Sequence, residues 1–171
     1  TDIASVSKVL TKQLEHVKKG IKELEIQMKE IIQLSESLKN TYKKITGIYG
    51  VALITASSVI VETENFTKIT NPRKFACHGG IAPFPYSSGS SVNGRSRTSI
   101  FCKRSLKGLL FKASATAIQH DPELKAYYKR KLEEGKHKLS ALNAVANKLV
   151  LRIFAVQKRE EPFQLTLAKI I

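Results

Sequence analysis

Residues 45–61, ITGIYGVALITASSVIV, place two glycines immediately before an apolar stretch that predicts a helix. Glycine lets backbone N–H groups approach another group closely, and the N-terminus of a following helix favours an anion. The Gly-Ile-x-Gly-Val pattern, whose glycines are Gly47 and Gly50, is therefore typical of a helix-hairpin-helix turn that contacts a phosphate. An ordinary turn between two helices is the alternative interpretation of the same residues.

The residues before this turn predict one long helix over 3–40. At alternating spacings of four and three residues, nine of eleven positions are apolar, and this repeat is typical of a coiled coil. The positions are Ile3, Ser7, Leu10, Leu14, Val17, Ile21, Leu24, Met28, Ile31, Ser35 and Leu38. We expect a dimerisation arm that makes the protein a homo-oligomer. A long helix packed on its own domain, or on a missing one, is the alternative.

The chain divides by pattern into a coiled-coil arm at 1–44, a helical domain at 45–158 and a tail at 159–171. Thr1 lies close to the start of the helical pattern, with no initiating Met before it. We therefore expect a fragment of a longer protein, cut inside the coil or just before it.

Four further helices are predicted after the glycine turn, so the fold class is mainly α. Asn71 and Pro72 are a typical N-cap and first helical residue, and Gly135 ends a later helix. Residues 83–99 contain two prolines, two glycines and six serines, which predict a long loop. The predicted helices are 71–78, 100–118, 122–134 and 138–158.

Basic side chains are concentrated in the middle of the chain. The 171 residues carry 29 Lys+Arg and 14 Asp+Glu, a net charge of +15, and residues 65–120 hold nine basic side chains and no acidic one. Apolar residues are spread through the same segment, which excludes a disordered basic tail. A polyanion is the expected partner, with nucleic acid as the leading candidate.

Several classes of protein are disfavoured by composition. Two cysteines, Cys77 and Cys102, exclude a disulfide-rich scaffold and predict a reduced, cytoplasmic chain. The charge-free run near 45–61 is too polar and slightly short for a membrane span, so no membrane partner is expected. His78 has no further Cys or His at finger spacing, and the acid-free segment lacks paired carboxylates. We therefore predict no metal site in this chain.

The serine-rich segment is the candidate for nucleophilic chemistry. A serine hydroxyl attacks a phosphodiester only if its proton is removed and cations meet the charge that grows on the phosphate. Ser87 and Ser88 precede four such cations. These are Arg95, Arg97, Lys103 and Arg104. By composition alone, a loop whose arginines touch backbone phosphates is favoured over a nucleophilic serine.

Four blocks occur in a specific order: 46–51, Phe66 with 71–76, 79–83 and 87–89, and the helical segments 120–128 and 135–149 follow them. In this order and spacing the chain resembles the C-terminal transposase domain of bacterial insertion-sequence transposases related to the pilin-gene DNA invertase, the bridge-RNA-guided recombinases. The resemblance covers roughly residues 45–155. It departs from the family pattern at Thr46, at Tyr49-Gly50 and at Pro83-Phe84.

The resemblance implies a DNA transposase or site-specific recombinase in which this domain binds nucleic acid and supplies a serine. By position that serine is Ser88, with Ser87 as the fallback. A nuclease-like N-terminal domain, absent here, would hold magnesium, so this fragment is expected to have no cofactor and to be inactive alone. DNA, and in some members a noncoding guide RNA, would be the partner. The implied nucleic-acid contacts are Gly47, Gly50, Arg73, Lys74, Arg95, Arg97, Lys103, Arg104 and Lys107.

A second class of function is compatible with the same residues. In this alternative the domain is a non-catalytic module that binds DNA or RNA and oligomerises the enzyme, and another domain does all the chemistry.

Overall fold

The computed structural model describes residues 2–88 and 92–159, and its fold is mainly α, as predicted. Residues 160–171, most of the predicted tail, lie outside the described part. The elements in chain order are α1 (Asp2–Leu34), α2 (Glu36–Thr46), α3 (Leu53–Thr63), α4 (Pro72–His78), β1 (Pro83–Ser88), β2 (Val92–Thr98), α5 (Arg104–His120), α6 (Pro122–Glu133) and α7 (Lys138–Gln157).

The chain forms two compact units, residues 1–39 and 40–171. The predicted long N-terminal helix is confirmed as α1, which is 33 residues long. The prediction of an unbroken helix to residue 40 is wrong at Ser35, where α1 has ended and α2 has not begun. Ser35 Oγ accepts a hydrogen bond from the Leu38 N–H at 3.5 Å. The serine side chain thus takes a backbone donor and starts a new helix as its N-cap.

The apolar repeat of α1 is largely exposed to solvent. Seven of its side chains are between 51% and 87% exposed. They are Ile3, Leu10, Leu14, Val17, Ile21, Leu24 and Ile31.

The glycine turn brings the start of α3 against the backbone of α5. Gly50 has a φ of +85°, and a Cβ at this position would lie only 2.1 Å from the carbonyl oxygen of Ala113. Ile48 and Val51 on either side are buried, and the Val51 N–H donates to the Ile48 carbonyl at 3.0 Å. Only glycine fits both the backbone conformation and the close approach.

The central helix of the second unit is α7, which packs against α4, α5 and α6. By length and composition it could also cross a membrane, but in this fold it supplies the core. The Phe154 ring lies 4.9 Å from the Phe66 ring and 5.4 Å from the Phe75 ring, centre to centre. The buried residues of α7 are Ala141, Val145, Ala146, Leu149, Val150, Ile153, Phe154 and Val156.

The capping residues confirm the predicted starts of α4 and α6. Asn71 Oδ1 accepts a hydrogen bond from the Arg73 N–H at 2.8 Å. Asp121 Oδ1 accepts one from the Leu124 N–H at 3.0 Å. A proline occupies the first position of each helix, where its missing N–H costs nothing.

The predicted loop at 83–99 is wrong over most of its length, because β1 and β2 form an antiparallel hairpin there. Serine, glycine and proline do exclude a helix, but a two-stranded ribbon has a free side where proline is tolerated. Pro85 falls at the irregularity in register between Phe84 and Tyr86, a further position that suits proline. The paired residues are Pro83–Thr98, Phe84–Arg97, Tyr86–Gly94, Ser87–Asn93 and Ser88–Val92.

The chain leaves α3 through a left-handed turn. Glu64, Asn65 and Phe66 have φ values of 49°, 53° and 64°, a conformation that costs roughly 1–2 kcal/mol for each non-glycine residue. Thr63 Oγ1 accepts a hydrogen bond from the Phe66 N–H at 3.0 Å, and the Lys68 N–H donates to the Thr63 carbonyl at 3.1 Å. These bonds and the packing of the Phe66 ring hold the turn in place.

Glu62 joins the end of α3 to α4 and α5. Its Oε2 lies 2.7 Å from His78 Nε2, and its Oε1 accepts a hydrogen bond from Lys103 Nζ. The Lys103 N–H also donates to the His78 carbonyl at 2.8 Å. Hydrogen bonds from Lys103 and His78 hold the pKa of Glu62 below its ordinary value of 4.5, although burial opposes them.

We predict that Gly50→Ala lowers the free energy of unfolding by about 2 kcal/mol or more, because the methyl group meets the α5 backbone at an unfavourable φ. Urea unfolding followed by circular dichroism measures the loss. Gly108→Ala is the matched control, since a Cβ there meets no atom within 4 Å. The control should gain about 0.5–1 kcal/mol from helix propensity. Equal stabilities for the two variants would contradict the packing role of Gly50.

We predict that Glu62→Gln destabilises the chain in a pH-dependent way. Since the pKa of Glu62 is lowered in the fold, its ionised form stabilises the native state fully above about pH 4.5. That stabilisation is lost as the pH falls through the lowered pKa. The difference in unfolding free energy between wild type and E62Q should therefore be largest near pH 7 and shrink towards pH 3. A constant difference in urea titrations across that range would refute the assignment.

Candidate nucleic-acid interface

A cleft of about 930 Å³ lies between the base of the hairpin, α5, the end of α6 and the start of α7. Among the described residues, its lining contains lysines, a histidine, amides and two aromatic rings, and no carboxylate. The lining residues are Pro83, Thr98, Lys107, Phe111, Tyr127, Lys136, His137, Leu139, Ser140, Asn143, Ala144 and Asn147.

Lys107 connects the hairpin side of the cleft to α5. Its Nζ lies 3.4 Å from Thr98 Oγ1 and 5.8 Å from the centre of the Phe111 ring. Its contacts are therefore a hydroxyl and a ring face, neither of which neutralises its charge. Among the described residues, Lys107 and Lys136 form no ion pair. Both charges are available to an anion in the cleft.

The opposite side of the cleft is built where α6 ends and α7 begins. Gly135, at a φ of +80°, reverses the chain, and Lys136 and His137 follow it into the cleft lining. His137 Nδ1 accepts a hydrogen bond from the Leu139 N–H at 3.3 Å and so caps α7. The start of this 20-residue helix adds partial positive charge to the cleft.

The amides of α7 supply neutral hydrogen-bonding groups. Asn143 Nδ2 donates to the Ile81 carbonyl at 2.7 Å, which ties α7 to the segment before the hairpin. Asn147 lies one turn further along the cleft wall. Amide side chains can donate to phosphate and sugar oxygens or to base edges.

Tyr127 borders the cleft within a group of paired cations. Its ring centre lies 4.8 Å from Lys148 Nζ, 5.2 Å from the Arg130 guanidinium and 5.5 Å from Lys131 Nζ. Each of these cations is also paired with a glutamate, Lys148 with Glu123 and the other two with Glu134. They therefore carry less free charge than Lys107 and Lys136.

Four residues of the glycine turn and α4 are predicted to contact nucleic acid, and the structure gives them different surroundings. Gly50 is pressed against α5 and has a packing role, whereas Gly47 is exposed. Arg73 and Lys74 are exposed on α4. None of these four residues lines the cleft, and their contact with nucleic acid stays a prediction.

Of the three cations predicted to contact nucleic acid at the start of α5, two line the same depression. Lys103 is bonded to Glu62, so part of its charge is neutralised. Arg104 and Lys107 both line a smaller depression of about 310 Å³. Lys107 and Thr98 line the large cleft as well, which makes the two surfaces neighbours.

The predicted serines lie at the far end of the hairpin from the cleft. Pro83 lines the cleft, and Ser88 is five residues further along β1, about 16 Å away at 3.3 Å per residue. Ser87 and Ser88 pair with Asn93 and Val92 of β2. The side chains of Ser87, Ser88, Arg95 and Arg97 are outside the described part of the structure, so their roles stay predictions.

Sequence reasoning missed the α6–α7 side of the cleft. Lys136, His137, Asn143 and Asn147 fall within the resembling segment 135–149, but they had not been assigned a role. The available signal was a glycine followed by basic residues at the start of a helix, which is typical of an anion-binding helix N-terminus.

No group of metal ligands is found in residues 2–88 and 92–159, which are the described part of the chain. These residues contain no cluster of three or more His, Cys, Asp or Glu side chains that could hold an ion.

Comparison with known proteins places these features in a family. The chain is 23% identical over 151 residues to the pilin gene-inverting protein of Moraxella bovis, covering 88% of this chain and 47% of that protein. It is 29% identical over 112 residues to the insertion element IS110 uncharacterized 43.6 kDa protein of Streptomyces coelicolor, covering 66% and 27%. The chain thus spans about half the length, or less, of these curated relatives.

The family match covers the hairpin, α5 and the first part of α6, but not the α7 side of the cleft. The family described as Transposase IS116/IS110/IS902 matches residues 42–129, which is just over half of the chain. The match runs from α2 into α6 and includes the glycine turn, the hairpin and α5. The chain belongs to the IS116/IS110/IS902 transposase family.

Proposed function

We propose that this chain is the nucleic-acid-binding and serine-supplying part of a DNA transposase or site-specific recombinase. The observation that carries the proposal is a cleft in a member of a transposase family. Its described lining has two lysines outside any described ion pair and no carboxylate. The relatives include a pilin gene-inverting protein, which supports DNA as the substrate.

The shape and chemistry of the cleft suit a phosphate backbone. Lys107 comes from α5 and Lys136 from the turn between α6 and α7, and both line the cleft, so an extended anion could contact both. Asn143 and Asn147 add neutral donors between them. Phosphate contacts of this kind position nucleic acid without reading its sequence. A domain that holds a DNA strand in place for reaction needs contacts of this type.

The nucleophile that we propose is Ser88, with Ser87 as the fallback, on the resemblance stated above. Ser88 is the last residue of β1. Arg95 and Arg97 belong to the partner strand β2 and would meet the charge on the phosphate. Magnesium would come from a nuclease-like domain elsewhere in the protein, and a noncoding guide RNA would be a further partner. The cytoplasm is the proposed location.

A second candidate function is a binding and oligomerisation module. The observation in its favour is the exposed apolar repeat of α1, because a coiled-coil seam of this kind is normally covered by another helix. We propose a second copy of the chain as the partner of this seam.

We predict that a double variant, Lys107→Ala with Lys136→Ala, binds DNA more weakly and with less salt dependence. Loss of two phosphate contacts should lower the slope of log K against log salt by about 2. Fluorescence anisotropy with a labelled duplex, at several salt concentrations, measures both effects. The matched control is Lys22→Ala with Lys29→Ala, which removes the same charge from α1. Equal weakening in both variants would show a general charge effect and would count against the cleft.

We predict that Ser88→Ala in the full-length protein abolishes recombination and leaves DNA binding intact. The reason is that the hydroxyl would form the covalent bond to DNA, whereas the cleft would hold the backbone. Wild type should give a protein–DNA adduct on denaturing gels, and S88A should not. Ser87→Ala is the control for the fallback. Full recombination activity in S88A would remove it as the nucleophile and favour the binding-module alternative.

We predict that removal of residues 1–44 lowers the oligomeric state. Analytical ultracentrifugation of the chain with and without this segment measures the change in mass. A pair of substitutions in the seam, Leu14→Glu with Leu24→Glu, should have the same effect because charges at the seam oppose pairing. An unchanged mass in both cases would exclude α1 as the oligomerisation element.

A further inference from the structure

The turn between β2 and α5 exposes two large apolar side chains in succession. Ile100 is 81% and Phe101 is 91% exposed, the highest values among the large apolar residues described in the second unit. A contiguous exposed apolar pair is costly in water and indicates a surface that is covered in function. Neither side chain belongs to the buried core or to the lining of the cleft.

The turn is fixed on both sides of the pair. Ser99 Oγ accepts a hydrogen bond from the Phe101 N–H at 3.2 Å. Cys102 packs on the Gly80 backbone so closely that a Cβ on Gly80 would lie 2.5 Å from its sulfur. The Lys103 N–H donates to the His78 carbonyl at 2.8 Å. The two side chains therefore project from a constrained turn, and little conformational entropy is lost when they are covered.

The surface around the pair is cationic. Lys103 is paired with Glu62, whereas Arg104 is exposed and shares with Ile100 and Lys107 the lining of the smaller depression. Among the described residues, the lining of this depression contains no carboxylate. A partner that covers this surface must offer anions around an apolar centre. A nucleic-acid duplex has this arrangement, with phosphates outside and stacked bases inside.

We propose that Ile100 and Phe101 form an apolar wedge that inserts between base pairs of a bound DNA duplex, while Arg104 and Lys107 hold the neighbouring phosphates. Apolar side chains used in this way unstack a base step and kink the duplex. Since Thr98 and Lys107 line both the depression and the cleft, the unstacked strand would lie beside the cleft. The inference rests on the proposed DNA-binding function and extends it to the opening of the duplex.

The first test uses a fluorescent reporter in place of the wedge residue. The chain contains no tryptophan, so Phe101→Trp introduces a single one. Stacking against bases should quench its emission by about half when a duplex of roughly 25 base pairs binds. The matched control is Leu151→Trp, which places the reporter on the exposed side of α7, and its emission should hardly change.

The second test compares a fully paired duplex with one that carries a two-base-pair mismatch at its centre. A mismatch removes part of the unstacking cost, so wild type should bind the mismatched duplex about ten-fold more tightly. Ile100→Ala with Phe101→Ala should lose this preference, and Leu151→Ala should keep it. Thermal melts of both variants should match wild type, since the replaced side chains are exposed.

The outcomes separate this inference from the function on which it rests. If wild type binds neither duplex, the proposed DNA-binding function fails and the wedge fails with it. If wild type binds DNA while F101W stays unquenched and the mismatch preference is absent, the wedge alone is overturned. A blue shift of F101W emission with protein concentration, without DNA, would assign the pair to a contact between copies and would also overturn it.

Discussion

The close approach of Gly50 to the backbone of α5 fixes how the second unit is assembled. The contact uses the backbone of Ala113 and Ala117, two buried small residues one turn apart. It sets the position of α3 on α5, and α3 in turn carries Glu62 to the junction with α4. From that junction the chain runs through Gly79 and Gly80 into the hairpin, whose base forms one side of the cleft. The glycine turn, whose sequence predicted a phosphate contact, therefore packs against α5 through Gly50.

Three acidic residues of this unit hold helices together. Glu62 joins α3 to α4 and α5, while Asp121 and Glu123 bind Arg152 and fix the start of α6 on α7. Glu134 pairs with cations at the end of α6. Because these carboxylates are engaged elsewhere, the charged groups among the described residues of the cleft lining are cations. The electrostatic character of the interface therefore follows from how the helices are joined.

The sequence predicted features that depend on local chemistry. Asn71-Pro72 and Asp121-Pro122 start helices because the cap and the proline act within one turn, and Gly135 ends one for the same reason. The hairpin was missed because proline and serine argue against a helix without indicating a partner strand. The break at Ser35 was missed because an apolar repeat continues through it.

Long-range features lay beyond this kind of reasoning. Glu62 meets His78 and Lys103 across 16 and 41 residues, and no local pattern indicates either contact. The left-handed turn at 64–66 is held by Thr63 and by the packing of Phe66 on Phe154, which only the folded chain provides. The cleft joins residues from 83 to 147, so only its α5 side, through Lys107, was anticipated.

The hairpin separates the proposed chemistry from the described cleft. Pro83 and Thr98 lie at the cleft, and Ser88 lies about 16 Å away along β1 at 3.3 Å per residue. In a duplex, where base pairs are 3.4 Å apart along each strand, this distance corresponds to about five base pairs. If Lys107 and Lys136 bind the DNA, Ser88 would therefore meet the duplex several base pairs away from the lysine contacts. In the proposed function, this separation would let the cleft hold the strand while the reacting phosphate stays open to the metal-bearing domain.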